Sequence, residues 1–193
     1  YGNHHFNALG SNRNIALRQG DRWLANLPLY HVGGMAILFR TLLAGAAVVC
    51  PERSTTVDEA VFKYGVTHVS MVSTQLYRLL NSGTDLTGLA ARLKAVLLGG
   101  SGFPPRLLAR ALDTGFPLFV SYGMSEMASQ VTTTSPDDRN TRLETSGRLL
   151  EHRELMISDE SEILVRGRTR FAGYVDGDAI TRPFDSAGWF ATG

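Results

Sequence analysis

Val120-Ser121-Tyr122-Gly123-Met124-Ser125-Glu126-Met127 runs a hydrophobic strand into a glycine turn and then presents a hydroxyl beside a carboxylate. A turn of this kind, at the carboxyl end of a buried strand, is where an α/β sheet places the groups that handle a nucleotide and its metal. The reading holds only if the residues before it form a parallel sheet.

They carry that pattern. From about residue 22 to residue 123, short apolar runs alternate with amphipathic segments, as in βα units. The expected strands are Trp23 to Leu29, Ala46 to Val49, Val66 to Val72, Leu93 to Leu98 and Phe116 to Ser121. Thr56 and Glu59 have the spacing of a capping box for a helix ending near Tyr64, and Ser73 or Thr74 can cap a helix carrying Leu76, Leu79 and Leu80. Pro104 and Pro105 suit the first turn of a third helix running through Leu107, Leu108 and Leu112 to Gly115.

After Tyr122 the texture changes. Thr132 to Arg142 is polar and loop-like, and short β candidates follow at Glu154 to Ile157, Ile163 to Val165 and Phe171 to Tyr174. The expected class is therefore α/β, a parallel sheet with flanking helices followed by part of an antiparallel, barrel-like β subdomain. The boundary near residues 135–145 divides the chain into an α/β part, 1–140, and a β-rich part, 141–193.

The 193 residues are 44% hydrophobic and 19% charged, enough for a real core and unlike a disordered chain. Nineteen basic against eighteen acidic residues leave a net charge of +1, with no electrostatic footprint for nucleic acid or an anionic membrane. The apolar stretch from Gly33 to Cys50 fails as a membrane span. Arg40 interrupts it, and Met35, Leu38, Phe39, Leu42 and Leu43 fall at the spacing of a one-sided helix. The lone Cys50 reads as a small buried hydrophobe in a reducing, cytoplasmic compartment.

Three turns follow strands at their carboxyl ends: Pro28-Leu29-Tyr30-His31-Val32-Gly33-Gly34, Gly99-Gly100-Ser101-Gly102-Phe103-Pro104, and Tyr122 to Glu126. In a parallel sheet those ends share one edge, so the three can line a single crevice. Gly99, Gly100 and Gly102 let the backbone approach a ligand, and the helix after them offers its first NH groups to negative charge. They equally suit a tight corner. No Gly-Lys-Ser/Thr follows, so this is not a P-loop, and the dinucleotide fingerprint is also unmet. Ser125 and Glu126 would supply a phosphate hydrogen bond and a hard oxygen ligand for Mg²⁺. The plainer alternative is a helix cap with an acidic first turn. A hydrolase nucleophile elbow around Ser125 is weakened by Met127, where that motif needs glycine. His31 can face a substrate carboxylate or phosphate, or be a hydrogen-bonded structural histidine. His4, His5, His68 and His152 lack zinc-ligand spacing and are read as structural.

The ordered set of turns resembles the acyl-adenylate-forming superfamily, which contains the acyl-CoA synthetases, luciferases and peptide-synthetase adenylation domains. Tyr122-Gly123-Met124-Ser125-Glu126 looks like its Tyr-Gly-x-Thr/Ser-Glu motif. Glu162 to Gly167, Gly173-Tyr174 and Gly188 to Gly193 look like later motifs in the same order. Within the superfamily the chain most resembles the o-succinylbenzoate-CoA ligases of menaquinone biosynthesis. That likeness rests on Leu27 to Met35, Ser73 to Leu80 and Gly123 to Thr132, including the Ser129-Gln130 continuation.

The resemblance implies ATP, Mg²⁺ and CoA as the reaction partners of a small-molecule acid. It implies that Tyr122 stacks on adenine, that Gly99, Gly100, Ser101 and Gly102 line the adenine and acyl pockets, and that Gly123, Met124 and Ser125 meet the nucleotide. Ser125 would contact the α-phosphate, Glu126 would hold Mg²⁺ and His31 would guard the acyl and phosphate site. Ser129 and Gln130 are candidates for substrate contact. Arg168 stands where many relatives have proline. The family's Ser/Thr/Gly-rich phosphate loop and carboxy-terminal domain with its catalytic lysine are expected outside these 193 residues, so the chain reads as an internal piece that is inactive alone, and an oligomer remains open. Another acyl- or aryl-CoA synthetase and a non-catalytic nucleotide-binding module are the rival readings.

Overall fold

Apolar runs that alternate with helix-forming segments must bury two sheet faces, and the computed structural model, which describes residues 1–135, 138 and 145–193, does so with helices around a parallel core. The elements are α1 (Gly2–Ile15), β1 (Arg22–Leu24), α2 (Val32–Ala44), β2 (Ala47–Val49), α3 (Val57–Tyr64), β3 (His68–Met71), α4 (Ser73–Leu80), α5 (Leu86–Ala90), β4 (Ala95–Leu98), α6 (Pro105–Asp113) and β5 (Leu118–Met124). A 3₁₀ turn, Ser125–Met127, leads to β6 (Ser129–Thr133), β7 (Arg148–Leu149), β8 (Arg153–Ile157), β9 (Ile163–Gly167), β10 (Tyr174–Asp176), β11 (Ala179–Thr181) and β12 (Phe190–Ala191).

The main sheet has the order β2-β1-β3-β4-β5-β6-β7. Its first five strands are parallel, β6 joins antiparallel to β5, and β7 joins antiparallel to β6. Strands β12, β9 and β8 form a separate antiparallel sheet, and β10 with β11 is a hairpin. The expected parallel sheet and the antiparallel strands after it are both present. The boundary expected near 135–145 falls mostly outside the described residues.

The central strands β3 and β4 are buried along their whole length, which explains the unbroken apolar run of β4, while β3 buries His68 and Ser70 beside Val69 and Met71. Leu76, Leu79 and Leu80 of α4 and Leu107, Leu108 and Ala111 of α6 cover one face together with Val96 and Leu98. Trp23, Ile37, Leu97 and Phe119 fill the other face. Full burial of side chains this size stabilises by about 1.5–3 kcal/mol each. Among the described residues no helix is long and apolar enough to cross a membrane.

Local signals hold where their chemistry is local. Thr56 Oγ1 accepts from the Glu59 amide at 3.4 Å and Glu59 Oε2 accepts from the Thr56 amide at 2.8 Å, closing the expected capping box. Pro105 occupies the first position of α6.

Several expectations are corrected. The cap of α4 is Val72, whose amide donates to Gln75 Oε1 at 3.1 Å, so Ser73 is already helical and neither it nor Thr74 caps. Strand β1 stops at Leu24 instead of reaching Leu29, because the chain turns toward Pro28, which has no amide for a ladder. Ser129–Thr133 is a strand, although the polar reading of the loop began at Thr132. Phe171 precedes β10 and packs its ring on Tyr174, Phe184 and Phe190. Cys50 is exposed, since β2 lies at the sheet edge and ends at Val49.

Helix α1 has no apolar stripe to announce it. Its buried face holds Asn7 and Ser11 as well as Ala8, Gly10 and Ile15. It packs against α2, where His4 stacks on Phe39 with ring centroids 5.0 Å apart.

Candidate functional site

The carboxyl ends of β1, β3, β4 and β5 open on one cavity of about 590 Å³, between the amino end of α2 and the start of β6. Its wall includes His31 and Gly33 from the first turn, Gly99 and Gly100 from the second, and Gly123, Met124 and Ser125 from the third. The three turns, spread over about a hundred residues, thus meet at one place, as a parallel sheet requires.

The first and third turns are held by close backbone approach. A Cβ on Gly34 would lie 2.2 Å from the Pro28 carbonyl oxygen, so the His31 turn closes only around glycine. His31 is the N-cap residue of α2 and its carbonyl accepts from the Gly34 and Met35 amides at 3.1 and 3.0 Å. That leaves its exposed ring tilted against Tyr30, with centroids 4.6 Å apart. At the second turn Gly100 has φ of +83°, and Ser121 Oγ donates to the Leu98 carbonyl at 2.8 Å beneath it.

At the third turn the β5–β6 register shifts between Tyr122 and Gly123, and a Cβ on Gly123 would meet the Ser129 carbonyl oxygen at 2.1 Å. This irregularity turns Ser125 outward at the cavity mouth. Glu126 is half-buried beside it, and its Oε1 accepts from the Tyr174 phenol at 2.8 Å. Mg²⁺ is ordinarily held by one or two carboxylates together with substrate phosphates, so a single carboxylate next to Ser125 of the cavity wall fits that ion. Among the described residues no group of three or more His, Cys, Asp and Glu forms a self-sufficient metal cage.

Of the residues expected at the site, His31, Gly99, Gly100, Gly123, Met124, Ser125, Ser129 and Gln130 lie on the cavity wall. Ser101, Gly102, Tyr122 and Glu126 stand outside it. A Cβ on Gly102 would meet nothing within 4 Å, so no protein contact demands glycine there. The Tyr122 ring packs against the apolar cluster of Met127, Val131, Val165 and Phe190. Gln130 is 2% exposed and its amide donates to Thr133 Oγ1, so its side chain is tied into β6. Among the described residues no histidine hydrogen-bonds Ser125, which leaves the nucleophile-elbow reading without a base.

Sequence reasoning missed Arg40. It is 1% exposed yet lines the cavity, with Nη2 donating to Ser129 Oγ at 3.1 Å and its guanidinium 5.4 Å from the centre of the Trp23 ring. Its Nε has no partner, and among the described residues no carboxylate pairs with it. Burial, with the nearby Arg153 charge, brings its pKa down to about 9, still cationic at neutral pH. Burying such a charge without a counter-ion is costly unless an anion meets it. The stripe expected on α2, Met35, Leu38, Phe39, Leu42 and Leu43, is not its buried face: Leu42 is 79% exposed, and the helix buries Gly34, Ala36, Ile37, Arg40 and Thr41 instead, so the apolar spacing pointed away from Arg40.

Residues 2–175 match the AMP-binding enzyme family. The chain is 36% identical to the 2-succinylbenzoate–CoA ligase of Bacillus pumilus and 32% identical to that of Bacillus subtilis, aligning over all of this chain and 41% of each relative. It therefore spans about two fifths of their length. The o-succinylbenzoate CoA synthetase of Bacillus subtilis, solved in complex with the acyl-adenylate intermediate, superposes with a TM-score of 0.87 at 34% identity, covering 100% of this chain and 42% of that one. A long-chain-fatty-acid CoA ligase from Rhodopseudomonas palustris superposes at 0.84 with 25% identity, over 99% of this chain and 50% of that one.

Proposed function

This chain belongs to the AMP-binding enzyme family, and from that premise we propose that it supplies the nucleotide and acid sites of an ATP-dependent acid–CoA ligase acting on 2-succinylbenzoate. The observation that carries the choice of acid is Arg40, a buried cation facing the same cavity as Ser125. Adenylation consumes one carboxylate of the substrate. 2-Succinylbenzoate retains a second carboxylate, which can pair with the guanidinium, whereas a fatty acid has none to offer. The 2-succinylbenzoate–CoA ligases among the named relatives support the same acid.

The chemistry begins from a carboxylate, which is a poor electrophile. Its oxygen attacks the α-phosphorus of ATP and pyrophosphate leaves; the CoA thiolate then attacks the acyl carbonyl and AMP leaves. Ser125 would donate to the α-phosphate where charge develops, a role for a fixed donor. Glu126 would hold Mg²⁺, which when bound neutralises phosphate charge. Tyr122 would pack on adenine, with Gly99, Gly100, Ser101 and Gly102 forming the adenine and acyl walls. His31, at the cavity rim, would guard the acyl and phosphate site, and Ser129 and Gln130 would flank the acid. A cytoplasmic setting suits a reaction that consumes ATP and CoA, and a free Cys50 is compatible with it.

The test is pyrophosphate release by a ligase of the relatives' full length carrying this chain, with 2-succinylbenzoate, benzoate and a medium-chain fatty acid compared. Release with 2-succinylbenzoate alone is expected. Arg40→Leu should lower kcat/KM for that acid by about 10- to 100-fold, the worth of a charge-assisted pair, with KM for ATP unchanged. Release with the fatty acid and not with 2-succinylbenzoate would overturn the substrate.

A further inference from the structure

Arg40 has one hydrogen-bonding side-chain partner among the described residues, Ser129, and Ser129 stands in an unusual backbone. Its φ is +118°, and Ala128 before it has φ of +57°. Two successive non-glycine residues at positive φ persist only where their surroundings over-determine them. The carbonyls on either side of this pair, of Met127 and Gln130, both accept from the carboxamide nitrogen of one distant residue, Asn7, at 2.9 Å each. Asn7 is 1% exposed and lies on α1, more than a hundred residues away in sequence.

We propose that Asn7 is a positioning residue for acid recognition: its carboxamide clamps the Ala128–Ser129 turn and so holds Ser129 against Arg40. The inference rests on the reading of Arg40 and Ser129 as the acid-facing pair. The clamp suits a carboxamide, whose NH₂ group offers two N–H donors from one uncharged nitrogen; a hydroxyl offers one and a carboxylate none. A second cation secures the arrangement. Arg153 donates through Nη1 to the same Gln130 carbonyl and through Nη2 to the Asn7 carbonyl at 3.4 Å. Gly10 makes room for it, since a Cβ there would lie 2.8 Å from Arg153 Nη2. Helix α1, whose buried polar face contributes little to a hydrophobic core, thereby sets the geometry of the cavity wall.

The test uses a ligase of the relatives' length carrying this chain, with separate KM values for 2-succinylbenzoate and ATP. Asn7→Ala should raise KM for the acid about tenfold or more, as misplacement of a recognition group does, and leave KM for ATP within about twofold. Ala128→Gly, which adopts positive φ without help, should recover part of that loss in the double variant. A merely structural asparagine would show no such rescue. Asn7→Ser, keeping one donor, should give an intermediate rise and serves if Asn7→Ala does not fold. Parallel changes in both KM values, an unchanged acid KM, or absence of rescue would overturn the inference. If Arg40→Leu impairs acid use and Asn7→Ala does not, the positioning role alone falls; if neither does, the acid reading falls with it.

Discussion

The phenol of Tyr174 donates to Oε1 of Glu126 at 2.8 Å across 48 residues of sequence, while the Phe171 amide donates to the Glu126 carbonyl at 2.7 Å. The segment leading into β10 therefore grips both ends of the residue proposed to hold Mg²⁺. A carboxylate oriented by an outer partner binds metal better than one free to rotate. Tyr174→Phe keeps the ring on Phe171 and removes the hydrogen bond. In the full-length ligase it should raise the Mg²⁺ concentration for half-maximal pyrophosphate release about tenfold, with the KM for acid unmoved. An unchanged Mg²⁺ titration would mean that Glu126 needs no such support.

Acid should destabilise the fold through His68. Burial depresses this imidazole to about 4, with Asp21 pulling upward and Lys94 adding to the depression. Its ring nitrogen Nδ1 lies 2.8 Å from Thr67 Oγ1, and Trp23 covers it with centroids 5.3 Å apart. The folded state binds the proton less readily than the unfolded chain, so the contribution is complete above about pH 6.5 and is lost as pH falls toward 4. The shift corresponds to at most about 3 kcal/mol. For Asp21, burial alone would raise the pKa, but hydrogen bonds from Lys94 and the Arg18 amide and the neighbouring charges leave it lowered, extending the loss to still lower pH. Urea midpoints measured between pH 7 and 4 should fall for the parent and fall distinctly less for His68→Gln.

Gly34 and Gly102 should respond oppositely to alanine. At Gly34 the new methyl would collide with the Pro28 backbone, and the turn carrying His31 must shift, at a cost of about 2 kcal/mol. At Gly102 nothing lies within 4 Å, so stability should change by less than about 0.5 kcal/mol. Loss of nucleotide binding by a fully stable Gly102→Ala would show that ligand approach is what requires glycine there.

Thr56→Ala should destabilise by about 1 kcal/mol, the usual worth of an N-cap. Glu59→Gln should cost less, because the shorter of the two box hydrogen bonds is to its side-chain oxygen and an amide oxygen can replace it. Thermal unfolding of both variants checks the order.

Local chemistry was legible where neighbours in sequence supply it. The capping box at Thr56, Pro105 at the start of α6 and the fully apolar run of β4 follow from spacing and composition. The cap of α4 was misread because Ser73 is a good capping type, yet the partner chosen is the Gln75 side chain reaching back to Val72. Cys50 was misplaced because an apolar run says nothing about which strand ends at a sheet edge.

The sequence by itself determined the parallel sheet, and with it the meeting of three turns at the carboxyl ends of its strands, since periodicity and turn residues act over a few positions. Only the tertiary structure decided that α1 turns Asn7 inward, that Arg40 is buried with no carboxylate pairing it among the described residues, and that Tyr174 holds Glu126. Those outcomes depend on desolvation and hydrogen-bond geometry among residues tens to more than a hundred positions apart, and such energies exist only once the neighbours are in place.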